Sequence, residues 1–169
     1  MSEKRKSFHE FYETTVKDIM QTSKSGVPCI EGNAPVSLLL PLLEKTDHVW
    51  VMDSATPPQL LGVITESDTI TLLSPPTIAL QSFDKPESHS LQYGISFTAS
   101  EIMSEKPVTV APTERIRDVL SKMKEQRIKQ LAVVDENERF LGEITLRQLI
   151  QEYVKCSPEN NEKEDVELS

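Results

Sequence analysis

Cysteine is nearly absent. Only Cys29 and Cys156 occur in 169 residues, far apart and in unlike settings. That excludes a disulfide framework and a paired-cysteine zinc site. Histidine is as sparse: His9, His48 and His89 are scattered, which leaves no metal-ligating cluster to expect. Aromatic residues make up 5% of the chain, so the core has to be built from Leu, Ile and Val. Positive charge is in deficit, 18 Lys and Arg against 27 Asp and Glu, for a formal net charge of −9. A nucleic-acid partner needs a basic face and is not expected. A small anionic ligand needs only a few local donors and stays open. Long apolar runs are missing too. "SLLLPLL" at 37–43 is much too short for a bilayer span, which takes about 18 residues or more. The start, "MSEKRKSFHEFYE", has basic residues but no apolar stretch behind them, so it does not read as a signal peptide and no membrane insertion is expected. A reducing cytoplasm is the expected compartment.

What is present is a 37% hydrophobic content, enough for one compact domain or two small ones sharing a core. An internal repeat organises it. "VKDIM" at 16–20 matches "ASEIM" at 99–103, "HVWVMD" at 48–53 matches "QLAVVD" at 130–135, and "LLGVIT" at 60–65 matches "FLGEIT" at 140–145. The offset drifts from 83 to 82 to 80 residues, as small loop changes between divergent duplicated modules would make it.

Each copy predicts the same order of elements. A short helix ends near Met20 or Met103, and a Pro-containing strand start follows, "VPCI" at 27–30 or "KPVTV" at 106–110. An amphipathic helix comes next. Ile116, Val119, Leu120 and Met123 share one helical face, as do Val36, Leu39, Leu40 and Leu43. Pro112 and Thr113 read as the start signal of the second of these helices. Pro41 lies inside the first and predicts a kinked or shortened helix. Two strands then pair across turn residues, 48–52 with 60–64 and 131–134 with 140–144, and a last helix starts at Thr65 or Thr145. Phe8, Phe11 and Tyr12 suit a helix in the N-terminal extension. Residues 74–97 read as a Pro- and Ser-rich linker, and the acidic stretch from about 156 as a disordered tail.

"GVITESDT" at 62–69 and "GEITLRQL" at 142–149 carry the one pattern with chemistry in it. Thr-x-x-Asp and Thr-x-x-Gln are both capping boxes, so the repeat can encode nothing more than a strand-to-helix turn with a glycine in the strand. The same geometry can serve a ligand. A helix start offers free amides, a strand glycine often marks close approach by a ligand, and a carboxylate at Asp68 can accept both hydroxyls of a ribose. Gln148 caps equally well but carries no charge. The shared part is architecture, and the acid is what can bind.

With these residues in view, the chain resembles a tandem pair of CBS domains, the small β-α-β-β-α modules named after cystathionine β-synthase. The resemblance rests on the paired "DIM" and "EIM" openings, the "VWVMD" and "LAVVD" strands and the Gly-x-x-Thr-x-x-Asp/Gln turns. It implies an α/β (α+β) fold, a tandem pair of modules related by pseudo-two-fold symmetry. The expected boundaries are an N-terminal extension 1–13, a first module 14–73, a linker 74–97, a second module 98–154 and a tail 155–169. The resemblance further implies an adenosine-containing ligand (AMP, ADP, ATP or S-adenosylmethionine) in a cleft between the modules, with no cofactor required. Asp68 would hold the ribose, and Thr65 and Thr145 would contact ribose or phosphate. Cys29 and Ile30, or Val108 and Thr109, would flank adenine. Lys129, with Arg127 and Gln130 beside it, fits a phosphate-side position, whereas Asp47 and His48 in the first copy depart from that basic pattern. At most one competent site is therefore expected, built around Asp68.

A regulatory module that binds an adenosyl ligand, forms a homodimer and signals to an unknown effector protein follows as the expectation; a ligand-free dimerising scaffold is the alternative. No Ser/His/Asp, Cys/His or paired-carboxylate constellation stands out, so the chain does not read as an enzyme. Cys29 and Trp50 are expected to pack in the core, His48 to be an exposed strand-start residue, and Met20 and Met103 to serve packing.

Overall fold

The computed structural model describes residues 5–74 and 97–156. Residues 75–96 of the expected linker and 157–169 of the expected tail lie outside the described residues. The first elements in chain order are α1 (Phe8–Glu13), β1 (Gln21–Thr22), β2 (Cys29–Glu31), α2 (Val36–Leu43), β3 (His48–Met52), β4 (Leu60–Thr65) and α3 (Thr69–Leu73). They are followed by α4 (Ala99–Ile102), β5 (Ser104–Glu105), β6 (Thr109–Val110), α5 (Ile116–Gln126), β7 (Gln130–Val134), β8 (Phe140–Thr145) and α6 (Leu146–Val154). The α+β class read from the sequence is what the chain adopts.

Two compact units result, and neither coincides with a sequence repeat. One comprises residues 28–107, the other 1–27 together with 108–169. In the 28–107 unit the strand order is β2-β3-β4-β5. The β2–β3 pair is parallel, and the other two are antiparallel. In the other unit the order is β1-β8-β7-β6, with β6–β7 parallel. Each sheet thus takes its last strand from the opening segment of the other copy. Gln21 and Thr22 pair with Glu143 and Gly142, and Ser104 and Glu105 pair with Val63 and Gly62. The helical turn ahead of each exchanged strand is tied down by main-chain bonds. Val16 N donates to Glu114 O at 2.9 Å and Lys17 N to Pro112 O at 3.0 Å; Ala99 N donates to Ala34 O and Ser100 N to Gly32 O, both at 2.9 Å.

These bonds explain one misread signal. Pro112 and Thr113 do not open α5, which begins at Ile116 with Arg115 as its N-cap and no side-chain cap. The crossing segment uses the Pro112 and Glu114 carbonyls and ties Ile116 N to Thr14 O at 2.9 Å, so the backbone turns into the helix only after them. Pro41 shortens α2 to 8 residues against 11 in α5. Its ring nitrogen cannot donate to the carbonyl one turn back, so helix propagation is weakened there.

The cores are aliphatic, as composition required. Val49, Val51, Ile64, Leu39 and Ala99 fill one unit, with Val36, Leu72 and Phe97 adjoining. Val16, Ile116, Val119, Leu131, Val133, Ile144 and Leu149 fill the other, and Phe11 of α1 is part of it. Helix α1 is fixed by a complete capping box between Ser7 and Glu10 and by rings. Phe8 and Phe11 lie 4.9 and 5.5 Å from Tyr153 between centroids. Arg115 and Arg117 both reach Glu13 at its C-terminal end.

The thiols differ sharply. Cys156 is buried in the core at the end of α6, and desolvation pushes its pKa up. Cys29 is exposed on the edge strand β2, which overturns the expectation that it packs in the core. The physical reason is strand parity. Ile30 turns toward the core, so its neighbours Cys29 and Glu31 turn away. A thiol-reactive disulfide reagent should therefore modify one thiol per folded chain quickly, and the second only on unfolding, because the thiolate is the nucleophile and needs access. Equal rates for the two thiols in the native protein would contradict this placement.

Candidate functional site

The two Gly-x-x-Thr-x-x-Asp/Gln turns sit at the same place in each unit. In the 28–107 unit the β3–β4 ladder pairs His48 with Thr65 at its end, and in the other unit β7–β8 pairs Gln130 with Thr145. The following main-chain amide is tied to the residue just before the inner strand. Glu66 N donates to Asp47 O at 3.0 Å, and Leu146 N donates to Lys129 O at 2.7 Å. Both capping boxes form, so the architectural reading of the motif holds in full.

The two turns differ in what remains. At Thr145 the side chain of Gln148 is occupied: its oxygen accepts from Thr145 N at 2.8 Å and its amide donates to Gln21 Oε1 at 3.4 Å. The glutamine therefore also braces the exchanged strand. At Thr65 a single carboxylate oxygen does the capping. Asp68 Oδ2 accepts from Thr65 N at 2.8 Å and from the Thr65 hydroxyl at 3.2 Å. Asp68 is half-buried, and among the described residues its Oδ1 has no hydrogen-bond partner. An ionised carboxylate has lone pairs to spare on both oxygens.

The glycines answer a separate question. Gly62 and Gly142 are buried, and the chain that approaches them is the exchanged strand. A Cβ on Gly62 would meet Met103 Sδ and Ser104 O, both at 2.6 Å. A Cβ on Gly142 would run into Gln21 O and meet Met20 Cε at 2.7 Å. Met20 and Met103 pack against the cores, as expected, and also lie over these glycines. The repeated Met and the repeated Gly are two halves of one crossing.

The other candidate residues fall in two groups. On the 28–107 unit, Cys29 is level with Trp50 and Ile30 with Val51. Cys29 is two strands and two residues away from Thr65, about 12 Å by strand geometry. Ile30 is committed to core packing, so Cys29 is the accessible member of that pair. On the other unit, Thr109 is level with Ala132, and Val108 packs against the core. The register makes Thr109 the counterpart of Cys29, one residue away from Val108. Lys129 and Arg127 are exposed, and Gln130 is half-buried beside Thr145. Arg127 caps α5 in the left-handed region, φ 55°.

His48 corrects the sequence reading. It is buried, with Nδ1 2.6 Å from Asp47 Oδ1 and its ring edge-on to the buried Trp50 at 5.4 Å. As on any strand, residues two apart share a face, so the burial of Trp50 carries His48 with it. One concavity of about 600 Å³ lies at the opposite end of the β6–β7 ladder from Thr145, lined by Thr109, Val110, Glu114, Asp135 and Asn137 among others. Of the candidate residues only Thr109 reaches it.

The CBS domain family matches residues 16–75 and 99–155, most of the chain. No curated protein matches the sequence. Among solved structures, CBSX2 in complex with AMP aligns with a TM-score of 0.66 and 20% identity over 83% of this chain and 96% of that one. The CBS domain of the bacterial CNNM/CorC family Mg2+ transporter in complex with ATP aligns at 0.63, with 21% identity over 88% and 93%. The CBS domain pair of protein MJ0100, in complex with 5-methylthioadenosine and S-adenosyl-L-methionine, aligns at 0.59, with 24% identity over 83% and 99%. Among the described residues no helix is long and apolar enough to cross a membrane.

Proposed function

Because the chain belongs to the CBS domain family, we propose that it is a regulatory module that binds an adenosine-containing ligand at the Thr65–Asp68 turn and passes the bound state to a partner protein. One observation carries this reading: the second oxygen of Asp68 is left over after the cap is made, while the equivalent Gln148 is used up. A ribose diol presents two O–H donors, and a carboxylate is an acceptor-only group that suits them. Solved pairs of this fold hold AMP, ATP or S-adenosyl-L-methionine, which supports the ligand class. Thr65 would orient the carboxylate, and Cys29 would stand on the adenine side. Ligand binding to one arrangement of the chain would shift its population, and an effector protein would read that arrangement.

A homodimer belongs to the same proposal. Leu38, Ile70 and Leu73 on one unit, and Ile150, Tyr153 and Val154 on the other, are exposed apolar side chains of the kind a second copy would cover.

Thermal unfolding of the intact chain against adenosine, AMP, ADP, ATP, NAD and S-adenosylmethionine tests the ligand. A binder at a hundred times its Kd stabilises the folded state by about 2.7 kcal/mol, a shift of roughly 5–10 °C for a chain this size. Asp68→Asn keeps an oxygen for the cap but removes the charge, and is expected to abolish the shift. No shift with any ligand, or an unchanged shift in the variant, would favour the ligand-free scaffold.

A further inference from the structure

Four cations lead into the Thr145 turn, and the described residues leave them unpaired. Lys124 lies in the last turn of α5, Arg127 caps that helix, Lys129 precedes β7 and Arg147 lies in the first turn of α6. The bond from Leu146 N to Lys129 O puts the last two on adjacent main chain. All four are exposed, and among the described residues none of their side chains makes an ion pair or a hydrogen bond. Glu125 is the one carboxylate between Lys124 and Gln130.

Helix electrostatics accounts for only two of the four. A cation suits the C-terminal end of a helix, where Lys124 and Arg127 sit. Arg147 stands at the positive end of α6, whose first turn holds no acid. Nor does the turn itself call for cations. At the matched turn of the 28–107 unit, Asp47 and Ser67 hold the places of Lys129 and Arg147. Positive charge is concentrated here beyond what the fold uses.

An opposite charge of matching size follows in the same chain. Residues 157–169 hold five carboxylates against one lysine, Lys163. They leave from a fixed point, since Cys156 is buried in the core and its amide donates to Tyr153 O at 3.0 Å. Along α6 that point is about 14 Å from Arg147, at about 1.5 Å per residue. An extended chain covers about 3.3 Å per residue, so Glu162 and the acids after it come within reach of the corner. A segment tethered so close competes at an effective concentration on the order of millimolar. A free acidic partner, or the acidic surface of a second copy, would have to match that.

We propose that the acidic segment 157–169 docks within its own chain on the corner formed by Arg127, Lys129 and Arg147, and keeps other anions off that turn. Several exposed charge pairs hold it, so the docking is sensitive to salt.

Zero-length carbodiimide cross-linking of the intact chain, which joins a lysine amine to a carboxylate it touches, tests this by peptide mapping. The expected result is links from Lys129 and Lys124 to Glu162, Glu164, Asp165 or Glu167, with a yield independent of protein concentration and lost by about 1 M salt. Arg147→Glu, at an exposed side chain without contacts, is expected to cut the yield at Lys129 severalfold. The complementary measurement adds a synthetic peptide of residues 157–169 in trans. It is expected to bind a full-length variant with Glu162→Gln, Glu164→Gln, Asp165→Asn and Glu167→Gln roughly tenfold tighter than the native chain, whose own segment already occupies the corner. A yield that falls on dilution would assign the segment to a second copy and overturn docking within one chain. Links that end on carboxylates of the 28–107 unit, no links from Lys124 or Lys129, or equal peptide binding by both proteins would overturn it as well.

Discussion

A chain that begins at Pro28 is expected to lose the fold of residues 108–156, although it keeps the whole second sequence copy. The missing segment supplies Phe11 and Val16, 3% and 0% exposed, to that unit's core. Burying such side chains stabilises a fold by about 1.5–3 kcal/mol each. The truncation also removes β1, which pairs with β8, and the main-chain bonds from Val16 and Lys17 to Glu114 and Pro112. Together these losses match a large part of the 5–15 kcal/mol by which typical domains are stable. Hydrogen exchange makes the effect visible by unit. The amides of Leu131–Val134 on β7 should lose protection in the shortened chain, while those of Val49–Val51 on β3 keep theirs. Undiminished protection on β7 would mean that the sequence repeat folds alone and that the exchanged segment is decoration.

That expectation bears on what the sequence made legible. The long strands were, because their signal is local: after His48 the run "VWVM" is apolar throughout, and β3 spans the residues predicted for it. Helix α5 was legible in its apolar face, since Ile116, Val119 and Met123 are all buried. Strands β1 and β5 were not. Each has two residues, "QT" and "SE", with no apolar pattern, and each exists only because a distant partner presents a free edge. The repeat therefore marked the modules while hiding that their opening segments are exchanged. At the site, the capping half of the motif was plain, because a box is written in four consecutive residues. The spare oxygen of Asp68 and the engagement of Gln148 by Gln21 were not, because the second depends on β1. His48 and Cys29 were read the wrong way round. Parity could have found both: His48 shares a face with Trp50, and Cys29 lies opposite Ile30 in the alternation.

Gly142→Ala is expected to destabilise the protein by about 2–4 kcal/mol, within the range of overpacking against a fixed neighbour. In a chain of this length that lowers Tm by roughly 5–15 °C. The obstacle is the main-chain carbonyl of Gln21, which cannot move without breaking the β1–β8 pairing. Gly62→Ala should cost less, because both glycines face a methionine and a main-chain carbonyl but the carbonyl at Gly62, Ser104 O at 2.6 Å, stands farther off than Gln21 O does from Gly142. Gly26→Ala is the control. Its φ of 85° is costly for alanine, but the space around it is open, so about 1 kcal/mol is expected from backbone strain alone. Adding Met20→Ala to Gly142→Ala separates the causes. If the side chain were the obstacle the double variant would recover; with the carbonyl as the obstacle it stays at least as unstable as the single one. A glycine kept for ligand approach would behave differently again, since alanine there would spare Tm and weaken only binding. Equal melting of native protein and Gly142→Ala would thus remove the crossing strand as the reason for the repeated glycine, and with it the account of why Met and Gly recur together in both copies.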